Sequence, residues 1–264
     1  MFKERPGEVP VSSLAGESET IKVDARALSH RELNARLREL ISDGVHRIEL
    51  RNVYGQRYIG TDLGKPIKID IFGTPGNDLG AFMDGPKIVV HGNAQDGCGN
   101  TMNNGEIVIH GHAGDILGLS ARGGKIFVEE DVGYRAGIHM KEYEDKKPMI
   151  IIGGTAQDFL GEYMAGGILI LLGLTLKEGE RHKANFIGTG MHGGVIYMRG
   201  EIQKFQLGKE VDVTEPDNND YPILKELVVE FADYFGHNAQ KILDDKFTRI
   251  IPLHLRPYGR LYAY

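Results

Sequence analysis

One short apolar alternation recurs along the middle of the chain. Ile88/Val90, Ile107/Ile109, Ile126/Val128, Ile150/Ile152 and Leu169/Leu171 are branched or leucine pairs two positions apart. A period of two predicts short strands with one face turned to a core. Glycines punctuate these strands at regular offsets. Aligned on Gly80, Gly99, Gly118, Gly137, Gly161 and Gly188, the intervals are 19, 19, 19, 24 and 27 residues. Three residues after each anchor stand Met83, Met102, Ala121, Met140, Met164 and Met191, so five of the eight methionines occupy one column. A second glycine follows the anchor at Gly85, Gly105, Gly123–Gly124, Gly166–Gly167 and Gly193–Gly194, with the Gly137 unit the exception. Three residues before each anchor lies Asn77, Asp96, Asp115, Tyr134, Asp158 or Asn185.

Nineteen residues are too few for a strand–helix–strand unit of about 30 or more. They suit one coil of a solenoid whose strands stack about 4.8 Å apart. The pattern therefore predicts an all-β core, a right-handed parallel β-helix with helices flanking it at both ends. Glycine at a corner permits positive φ, where a Cβ would cost about 1–2 kcal/mol. The methionine column reads as an internal stack of flexible side chains. Asn and Asp beside the anchors read as turn residues that bond their own nearby backbone.

Irregularities place the other elements. Ile48–Gly73 reads as one or two degenerate coils, because terminal repeats of a stack are atypical. The two long intervals carry charged insertions, Lys141–Pro148 and Leu174–Asn185, which are expected to project from the coil. Ser29 and Glu32 form a capping box ahead of Leu33, Leu37, Leu40 and Ile41, with Gly44 as the stop. After Pro222, Ile223, Leu224, Leu227, Val228, Phe231 and Phe235 mark an amphipathic helix, and Ala239, Ile242 and Leu243 a second. These helices are expected to cover the open ends of the solenoid. The division is then 1–47 with one helix, 48–205 as the β-helix, and 206–264 as a helical cap with an extended tail, Arg256–Tyr264.

Composition narrows the function. The 36 glycines are about twice the usual share of roughly 7%, and the repeat accounts for the excess. A net charge of −6 argues against a nucleic-acid binder. No apolar run approaches the ~20 residues of a membrane span, and MFKERPGEVP lacks a signal-peptide apolar stretch, so a cytoplasmic protein is expected. Cys98 is the only cysteine, which leaves no cysteine cage for zinc within the chain.

Candidate chemistry is sparse. Gly188-Thr-Gly-Met-His-Gly193 matches a dinucleotide fingerprint, but the residues after it read as a strand rather than the required helix. His91, His110 and Glu129 stand at 19-residue steps and could line up across coils as a metal ladder. A solvated row on the outer face is the simpler reading. Asp96, Asp115 and Asp158 form a carboxylate row of the kind sugar-cleaving enzymes use, although turn positions explain them as well. Cys98 lacks any neighbouring signature of an activated nucleophile. No catalytic, cofactor-binding or metal-binding residue is assigned.

GAFMDGPKIVVHGNAQDGCGNTMNNGEIVIHG, GGTAQDFLGEYMAGGILILLGL and FIGTGMHGGVIYMRGE together resemble the C-terminal GXGXG β-helix domain of the glutamate synthase large subunit, over about Ile48 to Ile202. The same rung occurs in one of the subunits of formylmethanofuran dehydrogenase. The resemblance implies a structural subunit without catalytic residues or cofactor, which joins a glutaminase subunit and a flavin/iron–sulfur synthase subunit. This chain departs from the full enzyme: Phe2 follows Met1 where that family's glutaminase has a cysteine nucleophile, and a lone Cys98 cannot hold an iron–sulfur cluster. Those parts belong on other chains. The alternatives are a formylmethanofuran dehydrogenase-type subunit, tied to a molybdenum or tungsten enzyme, and a lone polysaccharide-acting β-helix enzyme. The last expects exposed carboxylates and aromatics along an open groove.

Overall fold

The computed structural model describes residues 20–254; the segment Arg256–Tyr264 lies outside them. The architecture is a parallel β-solenoid in which strands stack in chain order. They are β1 (Ile21–Asp24), β2 (Arg47–Tyr54), β3 (Lys68–Thr74), β4 (Asp84–His91), β5 (Asn104–Ile109), β6 (Lys125–Val128), β7 (Met149–Ile152), β8 (Ala165–Leu171) and β9 (Gly193–Arg199). Each pairs in parallel with the next. β11 (Phe247–Pro252) then adds antiparallel to β9, and β10 (Val211–Thr214) pairs antiparallel with β11 at the edge.

The register turns the repeat into ladders. Ile48, Ile69, Ile88, Ile107, Ile126, Ile150, Leu169 and Ile196 are successive partners pointing into the coil. Leu50, Ile71, Val90, Ile109, Val128, Ile152, Leu171 and Met198 form a second inner row. Between the strands the chain turns at the anchor glycines, and each anchor N–H donates along the stacking axis to the carbonyl of the preceding coil. Gly80 to Ile59, Gly99 to Leu79, Gly118 to Cys98, Gly137 to Leu117, Gly161 to Ala136 and Gly188 to Leu160 all measure 2.8 Å. The series runs past the six anchors of the repeat. Gly60 turns with φ +76°, and Gly208 donates to Ile187 at 2.8 Å, so eight such corners stand among the described residues. Leu63 and Val211 stand where the methionine column would continue, and both are buried.

The corners alternate in handedness. The anchors of the repeat have φ between +65° and +74°. Among the described residues, twelve of the fourteen non-glycine residues with positive φ lie two positions before or after an anchor. This alternation flips successive peptide groups, so that the anchor amide points to the preceding coil and its flanking amides to the following one. Phe82 N thus reaches Asn100 O at 2.9 Å, and Phe159 N reaches Asn185 O at 2.9 Å. Every corner amide so engaged is satisfied, which offsets the steric cost of left-handed φ.

The methionines Met83, Met102, Met140, Met164 and Met191 are buried. They explain the second glycine. A Cβ on Gly105, Gly124, Gly167 or Gly194 would lie 3.1, 2.3, 3.1 or 2.6 Å from the Cε of the methionine one coil earlier. The thioether tip fills the space that the glycine leaves.

The first helix, α1 (His30–Ser42), follows β1 and has its Ser29–Glu32 capping box in place. Its Leu33, Leu37, Leu40 and Ile41 join the inner core and close the β1 end. The C-terminal helices do not close an end. Those expected there, α2 (Asp220–Phe235) and the short α3 (Ala239–Leu243), lie on the outer face of the sheet. From β4 onward the residue between the two inner rows is itself apolar: Val89, Val108, Phe127, Ile151, Ile170, then Tyr197. Leu224, Leu227, Val228 and Phe231 of α2 cover that row. In the first strands the same position holds Lys22, Glu49 and Asp70, which need no cover. The other end is closed instead by the turn at Lys204–Gln206 with Leu207 and Val211.

Gly118 has φ +66°, and a Cβ there would approach Ile150 Cδ1 to 2.4 Å. Gly118→Val is therefore expected to lower unfolding free energy by more than about 2 kcal/mol, measured by denaturant titration.

Candidate functional site

The candidate rows are used up in holding coils together. Asp96 Oδ1 accepts from Asp115 N at 2.9 Å, Asp115 Oδ1 from Tyr134 N at 2.8 Å, and Asp158 Oδ1 from Asn185 N at 2.8 Å. The expected bond to their own nearby backbone is replaced by a bond to the equivalent residue of the next coil, because the corner amides point along the axis. Asp131, three positions before that row, does the same, accepting from Thr155 N and Thr175 Oγ1, each at 2.7 Å. Thr175 belongs to the second insertion, so this carboxylate also ties that loop to the coil.

His91 and His110 stack, with centroids 5.4 Å apart and planes 10° apart. Phe72 stacks on His91 at 4.3 Å and Phe235 abuts His110 at 5.0 Å. His91 Nε2 lies 3.2 Å from Asp70, and His110 Nδ1 lies 3.6 Å from Glu129. Burial, then the His91 charge, hold the His110 imidazole below its ordinary range. The rings face one another and not a common point, and among the described residues no group of three or more His, Cys, Asp or Glu is placed to hold a metal ion.

Cys98 lies in the inner core next to the Gly99 anchor. Burial, with Asp78 adding to it, pushes its thiol up to about 12. The glycine run Gly188–Gly193 forms a corner and leads directly into β9, so no helix N-terminus faces it.

The insertions do more than project. Lys141–Pro148 folds back along the axis as a small hairpin closed by Tyr143 and Lys146, and Lys146 Nζ reaches Asp84 at 3.4 Å. Between hairpin and coil lies an open cleft of about 670 Å³, with Lys87, Glu106, Lys125, Lys146 and Lys147 along it. Two of these cations are already committed to the helix side. Lys125 pairs with Glu230 at 2.6 Å, and Lys87 sits 2.6 Å from Glu106 and 2.7 Å from Tyr234 Oη. Burial alone pulls the Lys87 ammonium down, but Glu106 and Tyr234 together hold it above its ordinary value. In Leu174–Asn185 the middle is exposed, while His182 is buried and its Nε2 donates to Arg199 O at 2.9 Å. No sequence signal marked the cleft or the α2 tethers, since their partners lie 105 to 147 residues apart.

Glycine corners, axial amides and stacked inner rows define a glycine-cornered β-solenoid whose polar rows serve the stack itself. The chain belongs to the GXGXG motif family, whose model matches residues 18–253. It is 51% identical over 253 residues to an uncharacterised protein of Methanocaldococcus jannaschii, an alignment covering 93% of this chain and 97% of that one. Its fold is similar to that of a chain in the formyltransferase/hydrolase complex FhcABCD from Methylorubrum extorquens, solved with methylofuran. The likeness covers 89% of this chain and all of that chain, with a TM-score of 0.58 and 17% identity. None of the described helices is long and apolar enough to cross a membrane.

Two expectations follow from the buried groups. With so small a thiolate fraction at neutral pH, Cys98 should resist a disulfide reagent in the native protein and react once the chain is unfolded; rapid native labelling would contradict its burial. Burial holds the His182 imidazole below its usual range, and the bond to Arg199 O offsets this only in part. A lowered histidine supports the fold while neutral, so its contribution is complete above the ordinary value of about 6.5 and is lost as pH falls below it. The thermal midpoint should drop on acidification, and His182→Gln should flatten that dependence.

Proposed function

We propose that this chain is a non-catalytic scaffold subunit of a multisubunit oxidoreductase complex in the cytoplasm. The observation that carries this reading is the commitment of Asp96, Asp115 and Asp158 to amides of the next coil. Carboxylates fixed as acceptors for structural N–H groups are poorly suited to shuttle protons for a substrate. What the molecule offers another chain is shape and charge: a rigid coil, and a hairpin at Lys141–Pro148 carrying lysines along an open cleft.

The specific assembly we propose is a glutamate synthase divided among chains. In it this subunit joins a glutaminase subunit and a flavin/iron–sulfur synthase subunit, and it contributes no cofactor of its own. The residues that resemble the glutamate synthase β-helix domain support this choice. A second reading, a subunit of a formylmethanofuran dehydrogenase-type complex, is supported by the fold likeness to the formyltransferase/hydrolase complex.

Affinity purification of the tagged, full-length chain from its own organism separates the two. The glutamate synthase reading expects flavin and iron–sulfur absorbance in the eluate and glutamine-dependent formation of glutamate from 2-oxoglutarate. Recovery of molybdenum- or tungsten-containing subunits would replace it with the second reading, and recovery of the chain alone would end the scaffold proposal. Replacing Lys146 and Lys147 with Glu should reduce recovery of partner subunits severalfold while leaving the circular dichroism spectrum unchanged.

A further inference from the structure

The glycine corners stack into a ridge that runs along the solenoid, and exposed aromatics are densest in its second half. Counted by their anchors, Gly60 to Gly208, there are eight corners. Corners five to eight carry Tyr134, Phe159, Tyr163, Phe186 and Phe205. Four of these are exposed, Tyr134 at 48%, Tyr163 at 45%, Phe186 at 51% and Phe205 at 74%. Phe159 and Phe186 stack at 5.0 Å with Arg135 over Phe159, and Tyr163 stacks on His139 at 5.2 Å.

These side chains stand where the backbone least favours them. Phe159, Tyr163 and Phe186 have φ of +67°, +52° and +56°. The axial hydrogen bonds demand that conformation of some residue there, but glycine or asparagine would meet it with less strain. Gly97 and Gly190 fill the equivalent places in other corners. Bulky aromatics held in left-handed backbone and left in water improve neither the corner nor the core. Strain retained at exposed side chains of this type marks a contact surface.

The charge along the ridge says what covers it. Corners one to four carry Asp62, Asp78, Asp96 and Asp115, with exposed Tyr58 and Phe82 beside the first two anchors. Corners seven and eight are basic, with exposed Lys183, Lys204 and Lys209, and Glu210 is held at the Gly190 amide at 3.1 Å. A row running from acidic through aromatic to basic is complementary to itself when reversed. We propose that the ridge binds a second copy of this chain, antiparallel about a two-fold axis between corners five and six. Tyr134 and His139 of each copy then meet Phe159 and Tyr163 of the other. Asp115 faces Lys183, and Asp96 faces Lys204 and Lys209. Aromatic side chains at the centre with charges at the ends is the usual arrangement of an isologous interface. The six paired corners, three to eight, span roughly 24 Å at about 4.8 Å per coil. This surface is separate from the lysine cleft, so the pairing stands or falls independently of the scaffold reading.

Analytical ultracentrifugation of the purified full-length chain tests it without any partner subunit. The expected result is a dimer that dissociates at lower protein concentration and weakens as ionic strength rises. In the decisive variant, Phe159→Asn with Phe186→Asn, asparagine accepts left-handed φ, so the fold is retained and its thermal midpoint held or raised. The dimer dissociation constant should rise at least about tenfold. Lys183→Glu with Lys204→Glu and Lys209→Glu should weaken the dimer as well, by reversing the basic end. A wild-type chain that is monomeric throughout the accessible concentration range would overturn the proposal. A dimer unaffected by both variants would also overturn it, because the contact would then lie on another face.

Discussion

The structure depends on amides that point along its stacking axis. In the strands this follows from ordinary parallel pairing. At the corners it requires backbone that alternates between right- and left-handed φ, so that one peptide bonds the coil below and the next the coil above. Anchors such as Gly118 meet that demand at no steric cost, whereas Ile116 and Ser120 on either side meet it with strain that their axial bonds offset. The same constraint determines what the acidic side chains do. Asp96 and Asp115 sit where an amide of the next coil comes within reach, and their carboxylates become part of the stack.

Much of this was legible in the chain because stacking converts local geometry into a sequence period. A corner that needs a small residue needs it again in every coil, and a methionine tip that occupies a glycine's side-chain space links the two columns. The signal fades where the columns change residue type. Gly60 and Gly208 lack the methionine mark because Leu63 and Val211 stand in for methionine, although 20-residue spacing marks both. The position of α2 was also available in principle. Val89, Val108, Phe127, Ile151 and Ile170 make the strands apolar on both faces, the mark of a sheet covered on each side. An alternation counted only at every second residue passes over them. The hydrogen-bond partners of the aspartates were not legible, since a neighbour 19 residues away is adjacent only once the coil length is known.

The polar groups thus divide by direction. Those that point along the axis are bound to other coils, as in the aspartate ladder and the stacked His91–His110 pair. Others join α2 to the sheet beneath it. Tyr197 Oη donates to Asp220 at 2.6 Å beneath its first turn, and burial followed by that carboxylate raises the phenol. Tyr234, bonded to Glu106, does the same at the far end.

The reversal of strand direction at β11 has a consequence for solubility. A stack of parallel strands with identical spacing is a template for indefinite growth, because the last strand presents the same unpaired edge as every strand before it. Here the final parallel strand, β9, is covered by an antiparallel one, and the outermost strand is the four-residue β10 with Asp212 in its middle. A second molecule approaching end-on meets an edge of opposite polarity and short length. Growth of the stack at this end, which the repeat alone would favour, is thereby interrupted.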